Sequence, residues 1–433
     1  MRLGRAFLQT FVVQVIQSAA SLTTGVLIAR ALGPSEQGRY AFLAAALGVG
    51  ALIVGLGQFQ GNVLSAAENP SLGRVLLLRS ATQSLGVATI LASVQLVGAH
   101  IPGTRTLADI AYVFIAVLCV EAMAQTVRGI NLGQHDITAF NAGTFVQRSA
   151  YLGLAVVLRQ THKLTLHSIA IAWFAAAAAS VLLSSVLAWS RSGLARITLD
   201  AIRTGWGTSV LRGARALLSV GLGLVLVRYD VYVLGPILGM ALVGQISVAT
   251  AVAEWLWYVP SILNNLLFAA SAADTRARST QQIARATRLL VTLLLPVAIA
   301  LGFLGGPLVR LLYGSAYAQA GVLFVLLVPG VTALALHMVV DSYFAGKGFP
   351  AISLWAPAAA LAAKFVLNLL LVPRYGAAGA VTATSLVYTL LLATKVVAFS
   401  REQGIPVAKL LWPTRHELAE NAAAARVWIG GRA

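Results

Sequence analysis

The chain has 433 residues, of which 59% are hydrophobic and only 10% are charged, and its mean hydropathy is +0.84. Soluble domains carry roughly 25% charged residues, so this composition excludes a water-soluble globular protein and indicates a protein whose surface faces lipid. We interpret most of the net charge of +18 as a signal for membrane orientation and as attraction to anionic lipid, so no nucleic-acid partner is expected.

Twelve apolar runs of about 20 residues are each long enough to cross the hydrocarbon core as a helix. They lie at about 7–29, 40–63, 75–99, 107–127, 137–158, 167–189, 215–237, 242–270, 289–309, 320–345, 351–372 and 377–399. The runs lack the two-residue alternation of a membrane β-barrel, so they predict an all-α polytopic membrane protein. The first run is too long for a signal peptide, and we interpret it as an uncleaved first helix.

The placement of Lys and Arg predicts the orientation of these spans. With the N-terminus in the cytoplasm and the spans alternating in direction, 21 Lys and Arg residues fall on the inner side and 7 on the outer side. Cytoplasmic loops carry the excess of positive charge in membrane proteins. The pattern therefore predicts a multi-pass membrane protein with both termini in the cytoplasm.

Two short connections in the first half of the chain recur in the second half. Gly33 matches Gly239 at a shift of 206 residues, and Gly133 matches Gly346 at a shift of 213. An even number of spans separates each pair, as in parallel repeats, and two like halves suit an alternating-access transporter. The sequence predicts two pseudo-repeated six-helix lobes: an N-lobe over 1–190, a basic cytoplasmic linker over 191–214, a C-lobe over 215–399 and a cytoplasmic tail over 400–433.

Four stretches carry a resemblance to a known family. They are ARALGPSEQGRYAF from Ala29, RYDVYVLGPILGMALVGQISVATAVAEWLWYVP from Arg228, LLYGSAYAQAGVLFVLLVPG from Leu311 and FVLNLLLVPRYGAAGAVTATSLVY from Phe365. Together they resemble the Wzx-type O-antigen flippases, which are polysaccharide exporters of the multidrug/oligosaccharidyl-lipid/polysaccharide (MOP) superfamily.

The resemblance implies a twelve-helix bundle of two lobes, like that of MATE transporters, around a central cavity. Such a protein would lie in the bacterial inner membrane and would move an undecaprenyl-pyrophosphate-linked oligosaccharide to the periplasmic leaflet during lipopolysaccharide or other polysaccharide biosynthesis. A polysaccharide polymerase or chain-length regulator would be its protein partner. One departure concerns span seven, where a basic residue often follows the Asp in the family but Val231 follows Asp230 here.

Ionisable residues inside spans are costly unless they face a cavity or a partner, so they are the candidate site residues. A lipid pyrophosphate needs cations around it, and the planar fork of Arg can bind its oxygens bidentately. Arg148 and Lys364 fall at related places in the two halves, at a shift of 216. Structural ion pairing is the alternative explanation for each charge. The predicted substrate-binding residues are Arg30, Arg148, Arg228 and Lys364.

Three acidic residues within or beside spans are candidates for coupling to an H⁺ or Na⁺ gradient: Asp230, Glu254 and Asp341. A partly buried carboxylate can titrate near physiological pH. Asp341 follows His337 by one helical turn, which allows a proton relay, although a core histidine bonded to a backbone carbonyl is the ordinary explanation. The sequence contains neither a phosphate-binding loop nor the spacing of a His/Cys metal site, so no cofactor is expected.

Three other functions compete with the flippase interpretation. A MATE-type multidrug or cation antiporter would favour an acidic cavity, whereas this sequence carries three basic residues deep inside spans. A ligase or polymerase acting on the same lipid-linked glycan would need a large periplasmic loop, and the predicted outer loops are short. A lipid II flippase belongs to a family that usually has fourteen spans, whereas this chain has twelve apolar runs.

Overall fold

A computed structural model describes residues 2–98, 108–192, 206–258, 260–261, 263–264, 267 and 276–412, with side chains from Val13 onward except at 94–98, 108–111, 206–216, 236 and 276–279. This part of the chain is nearly all helical and contains no strand. The α-helices are α1 Arg2–Gly55, α2 Gln58–Glu68, α3 Gly73–Gly98, α4 Ala108–Gly133, α5 Ile137–Gln160, α6 Leu166–Arg191, α7 Trp206–Leu238, α8 Met240–Ala253, α9 Arg276–Tyr313, α10 Ala318–Gly346, α11 Ile352–Gln403 and α12 Val407–Leu411.

Helix α1 consists of two arms that reverse direction at Gly33. This residue has φ 73° and ψ 173°, which no α-helix contains. In the first arm, the side chain of Gln17 donates to the backbone oxygen of Asn141, and in the second arm the hydroxyl of Tyr40 lies 3.2 Å from that of Tyr151. A straight helix would separate residues 17 and 40 by about 34 Å, whereas residues 141 and 151 are only about 15 Å apart along α5. The chain must therefore turn back between the two arms.

Helix α11 reverses in the same way at Gly376, which has φ 57° and ψ −134°. The ammonium of Lys364 lies 5.6 Å from the ring centroid of Tyr388, and these residues stand twelve positions before and twelve positions after the glycine. In a straight helix they would be about 36 Å apart. The two halves of α11 are therefore antiparallel arms of one hairpin.

The described helices account for the twelve predicted spans. Within the described residues, nine helices are long and apolar enough to cross a membrane, and two of them, α1 and α11, contain two arms each. Helix α5 is long enough but too polar to be among the nine. Counting the arms separately and including α5 gives one helix for each apolar run, so the predicted all-α polytopic architecture is confirmed.

The internal repeat is visible in the backbone. Helices α4 and α10 both end at the glycines matched in the sequence, Gly133 and Gly346. Residues with positive φ also recur at nearly constant shifts of 206, 213 and 214 residues. These matched pairs are Gly33 (φ 73°) with Gly239 (φ 83°), His135 (φ 58°) with Gly348 (φ 79°), and His162 (φ 56°) with Gly376 (φ 57°).

The chain divides into two compact units, Met1–Gly235 and Pro236–Ala433. In the first unit α4 is central and packs against α1, α2, α3, α5 and α6, and in the second unit α10 packs against α8, α9 and α11. Both central helices approach a neighbour closely at a glycine, since a Cβ at Gly133 would collide with Val63 and one at Gly330 with Ser385. The lobe bounds remain a prediction, because most of the linker (193–205) and of the tail (413–433) lies outside the described residues.

The surface of the helices is apolar, as a lipid environment requires. On α9, the side chains of Ile299, Phe303 and Leu311 are more than half exposed. Large apolar side chains in such number would destabilise a protein in water but suit a helix in contact with acyl chains. The chain is therefore a multi-pass membrane protein.

Several details of the predicted topology need correction. The run 242–270 is not a continuous α-helix, because α8 ends at Ala253 and a 3₁₀ turn, Glu254–Trp257, follows. The run 40–63 is broken between α1 and α2. Arg79, Arg128 and Lys395, which the charge pattern assigned to inner loops, are buried in α3, α4 and α11. Without these three residues, 18 Lys and Arg residues fall on the inner side and 7 on the outer side. The inner side still carries the excess of positive charge, and the orientation remains a prediction.

Candidate functional site

One face of α5 carries a stripe of polar side chains through an otherwise apolar helix. Asn141, Thr144, Arg148 and Tyr151 follow one another at spacings of three and four residues, which places them on the same side of the helix. This face is turned toward α1, since the hydroxyl of Tyr40 lies 3.2 Å from that of Tyr151 and the Gln17 side chain donates to the backbone oxygen of Asn141. We call these six residues the polar lane.

Arg148 stands in the middle of the polar lane with an exposed side chain. It interacts electrostatically with the hydroxyls of Tyr40 and Tyr151 and with Arg128. In the part of the chain that the structure describes, no salt bridge joins Arg148 to an acidic residue. An arginine halfway along a membrane helix is strongly disfavoured in contact with acyl chains. The exposed guanidinium therefore requires water or an anionic ligand beside it.

A buried network lies behind the polar lane and joins α4, α5 and α6. Gln147 donates from Nε2 to Glu121 Oε2 at 2.6 Å and accepts at its own Oε1 from Arg128, also at 2.6 Å. The indole nitrogen of Trp173 donates to the same Glu121 oxygen at 3.2 Å, and the Arg128 guanidinium lies 3.8 Å from Oε1. Gln147 thus satisfies both ends of a buried ion pair, as a low-dielectric interior requires.

The polar lane and the buried network adjoin a small cavity in the first unit. Its wall is mainly apolar, and its two polar members are Tyr40, which belongs to the polar lane, and Trp173, which binds Glu121. The rings of Tyr40 and Tyr151 both contact that of Trp173, at centroid distances of 6.3 and 5.6 Å. The lining residues are Tyr40, Leu43, Leu47, Phe114, Val117, Leu166, Ile169, Ala170 and Trp173.

The two predicted site residues of α10 and α11 are held by contacts inside the second unit. Lys364 has no exposed surface and lies over the ring of Tyr388. Asp341 accepts a hydrogen bond from the ammonium of Lys395 at 2.5 Å. Although Arg148 and Lys364 fall at related places in the repeat, one is exposed and the other fully buried, so their environments differ.

The remaining predicted residues occupy varied positions. Arg30 is exposed, three residues before the reversal at Gly33. On α7, Arg228 is half-buried and interacts electrostatically with Tyr232, while Asp230 is buried. Glu254 is half-buried at the first position of the 3₁₀ turn after α8. The substrate-binding and coupling roles predicted for these residues remain predictions.

Several polar residues at the site were not among the predicted site residues. Tyr40, Gln147 and Trp173 are uncharged, so a search for ionisable groups passed over them. Arg128 lies one residue beyond a predicted run, and Lys395 lies inside one, yet both were counted as loop residues. The spacing of Asn141, Thr144, Arg148 and Tyr151 was the available signal, because a polar stripe on a membrane helix marks a face that avoids lipid.

These features define a class: a polytopic α-helical membrane protein of two related halves, with polar groups arranged inside its spans. No family model and no curated sequence matches the chain. Several solved structures, however, have a similar fold. The chain is similar to the lipid II flippase MurJ in an inward closed conformation, with a TM-score of 0.69 and 11% identity over 93% of this chain and 89% of that one.

Two further solved structures have similar scores. A MOP-superfamily transporter from Pyrococcus furiosus gives a TM-score of 0.66 at 16% identity, over 94% of this chain and 95% of that one. A mutant of the Vibrio cholerae MATE transporter VcmN gives 0.65 at 14% identity, over 93% and 99%. The chain therefore has the two-lobe fold of MOP-superfamily transporters. At such identities the likeness concerns the fold, and the substrate must be argued from the site.

Proposed function

We propose that the protein is a flippase that moves an undecaprenyl-pyrophosphate-linked oligosaccharide across the bacterial inner membrane by alternating access. It would act as a transporter and not as an enzyme, without a cofactor, and a gradient of H⁺ or Na⁺ would drive it. The proposal rests on the fold and on the resemblance of four stretches to O-antigen flippases. A polysaccharide polymerase or chain-length regulator would be its partner.

The observation that carries the proposal is Arg148 in the polar lane. Its guanidinium is exposed at mid-helix and lies beside the hydroxyls of Tyr40 and Tyr151, with Arg128 within electrostatic range. A guanidinium binds phosphate oxygens in a bidentate manner, and hydroxyl groups can bond both to phosphate and to sugar. Neighbouring apolar rings offer a surface for sugar stacking. This combination suits a pyrophosphate headgroup attached to a glycan.

A MATE-type multidrug or cation antiporter is the second candidate, because MATE transporters share the fold. A cationic drug in the polar lane would meet Arg148 and, behind it, Arg128, and like charges repel each other strongly in a medium of low dielectric constant. The acid of the buried network behind the polar lane, Glu121, is already compensated by Arg128 and Gln147. The local charge therefore favours an anionic substrate.

A membrane enzyme acting on the same glycan is less well supported. On the predicted topology, outer connections are the segments 161–165 and 314–317, the segment 99–107 outside the described residues, and the one-residue reversals at Gly33, Gly239 and Gly376. Each is nine residues or shorter. Such connections offer little room for the catalytic loop that glycan ligases and polymerases use.

The test is complementation of a strain that lacks this gene. We expect Arg148→Ala to abolish surface polysaccharide while the protein remains in the membrane, and Arg148→Lys to restore part of it because the positive charge returns. Arg159→Ala is the matched control, since Arg159 is an exposed arginine in the last turn of the same helix. Normal polysaccharide with Arg148→Ala would contradict the role of Arg148. Restored drug resistance without polysaccharide would favour the antiporter.

A further inference from the structure

A buried ion pair joins α10 to the second arm of α11. The ammonium of Lys395 lies 2.5 Å from Asp341 Oδ1. The Lys395 side chain is only 1% exposed, whereas the Asp341 side chain is 29% exposed. The lysine is therefore enclosed by protein, and the carboxylate is the member of the pair that is partly exposed.

The ammonium has other partners that would hold it without the carboxylate. Ser353 Oγ, on the first arm of α11, lies 3.4 Å from Lys395 Nζ, and the ring of Phe344 lies 4.8 Å from it. A hydroxyl and an aromatic face both stabilise a cation, although less strongly than a carboxylate does. These two contacts remain available to the ammonium when Asp341 does not pair with it.

Helix α10 and two of the helices packed against it, α9 and α11, carry further charged and titratable groups. On α10 itself, His337 lies one turn away and interacts electrostatically with both Asp341 and Lys395. Helix α9 contributes Arg285 and Arg288 near its inner end, and Arg288 donates to the backbone oxygen of Lys409. Lys364 of α11 is level with Tyr388, about 10 Å from Lys395 along the helix.

Two further acidic groups lie near α10. Glu402 of α11 accepts from the hydroxyl of Tyr343 and pairs with Lys347, which follows the last residue of α10, and Glu254 is distant from Asp341. Gln245 of α8 binds the backbone of residues 316 and 320 at the beginning of α10. From this contact, Glu254 lies only nine residues further along α8 and its 3₁₀ extension. Asp341 lies more than twenty residues further along α10, so the two carboxylates are at different levels. Asp341 is therefore the only carboxylate among the described residues that faces Lys395 within bonding distance.

We propose that the ammonium of Lys395, which is fixed to the chain, fills the cation-binding position beside the carboxylate of Asp341. The carboxylate then takes up H⁺ and not Na⁺. Na⁺ would have to displace an ammonium that cannot diffuse away, and it would stand next to that positive charge. A proton adds directly to the carboxylate. The inference rests on the proposed transport function, for which it names the coupling ion and assigns Lys395 as the partner of the coupling residue.

The proton balance of the step is simple. H⁺ enters at the exposed side of Asp341 and forms a neutral carboxylic acid, and Lys395 keeps its own proton and its charge. The contact between α10 and the second arm of α11 loses its ionic component, and the ammonium shifts toward Ser353 and Phe344. Release of H⁺ on the other side of the transport cycle restores the ion pair. One proton is taken up and one is released, with no other bond made or broken.

The test measures charge displacement in proteoliposomes of the full-length protein adsorbed on a solid support. We expect a jump to acidic pH to produce a transient current, and a jump in NaCl against choline chloride to produce none. In Asp341→Asn/Lys395→Gln, two amides replace the ion pair and can still bond to each other, so the protein should fold while the acid-jump current falls to background. Lys395→Arg should keep the current, because arginine also carries a fixed charge.

The matched control is Lys347→Gln/Glu402→Gln, which removes an exposed ion pair between the residue that follows α10 and the second arm of α11 and should leave the current intact. A Na⁺-evoked current in the unmodified protein would overturn the proposal. So would an acid-jump current that survives in Asp341→Asn/Lys395→Gln, and its loss in His337→Gln would then assign the proton to His337. Because no glycan is needed, these outcomes are independent of the polysaccharide assay.

Discussion

Lys364 and Tyr388 contact each other across a hairpin whose bend is Gly376, with the ammonium 5.6 Å from the ring centroid. The contact exists because Gly376 adopts φ 57° and ψ −134°, a conformation that residues with a Cβ rarely adopt. The same device reverses α1 at Gly33. Both reversals turn one long helix into two membrane spans without a connecting loop.

Gly376→Ala should therefore destabilise the protein by about 1–3 kcal/mol through backbone strain. A Cβ at this position meets no atom within 4 Å, so crowding does not contribute. The measurement is the midpoint of unfolding in mixed micelles. Gly302→Ala is the control: it also has open space but lies inside α9, where alanine stabilises a helix, so an equal loss at both positions would contradict the strain argument.

Glu121→Gln should destabilise the first unit by about 3 kcal/mol, because it leaves the buried Arg128 without a counter-charge. Arg128→Met should be costly for the converse reason. The double variant should recover part of the loss, with a coupling free energy of about 1–3 kcal/mol in a double-mutant cycle. Strictly additive losses would mean that Gln147, and not the charge pair, holds α4 against α5.

Asp136 has two functions that substitution can separate. Its carboxylate caps α5 by accepting from the backbone N–H of Ala139 at 3.0 Å, and it pairs with Arg191 at the end of α6 at 2.5 Å. Asp136→Asn keeps an N-cap and should cost less than about 1 kcal/mol, because the Arg191 side chain is half exposed. Asp136→Ala loses both contacts and should cost about 1–2 kcal/mol. Unfolding midpoints of the two variants test this order.

The exposed pair Lys347–Glu402 should make a small contribution to stability that depends on pH. Partial burial lowers the pKa of Lys347, but hydrogen bonds to Glu402 and Tyr343 and the negative charge of Glu402 raise it more, so the pKa lies above its ordinary value of 10.5. A raised lysine pKa adds stability that is fully present below the ordinary value and is lost as pH rises through the raised one. The difference in unfolding midpoint between the unmodified protein and Lys347→Gln should therefore be small at neutral pH and vanish in strong alkali.

Much of the fold was predictable from the residues. Apolar runs of membrane length identified each span, and recurring glycines identified the repeat, because a reversal between two spans needs a residue that tolerates positive φ. The break at Glu254–Trp257 was not predictable, since the residues around it are as apolar as those of a continuous helix. Hydropathy reports whether a segment can enter lipid and not whether its backbone stays helical.

The site was predictable only in part. Arg148 stood out as a charge within a span, and the polar spacing along α5 marked its face. The partners of Glu121 and Asp341 did not stand out, because Gln147, Trp173 and Lys395 lie 26, 52 and 54 residues away from them along the chain. Helical period determines which face a side chain occupies on its own helix, but contact with another helix depends on how the two are rotated against each other.

By itself, the sequence determined that this is a twelve-span membrane protein with an internal duplication, because transfer of side chains into lipid depends on each segment alone. Only the tertiary structure decided which intramembrane charges are neutralised inside the protein, as for Asp341 with Lys395, and which stay exposed, as for Arg148. That decision depends on distances of a few ångströms between helices, and the electrostatic energy of a buried charge changes steeply over such distances.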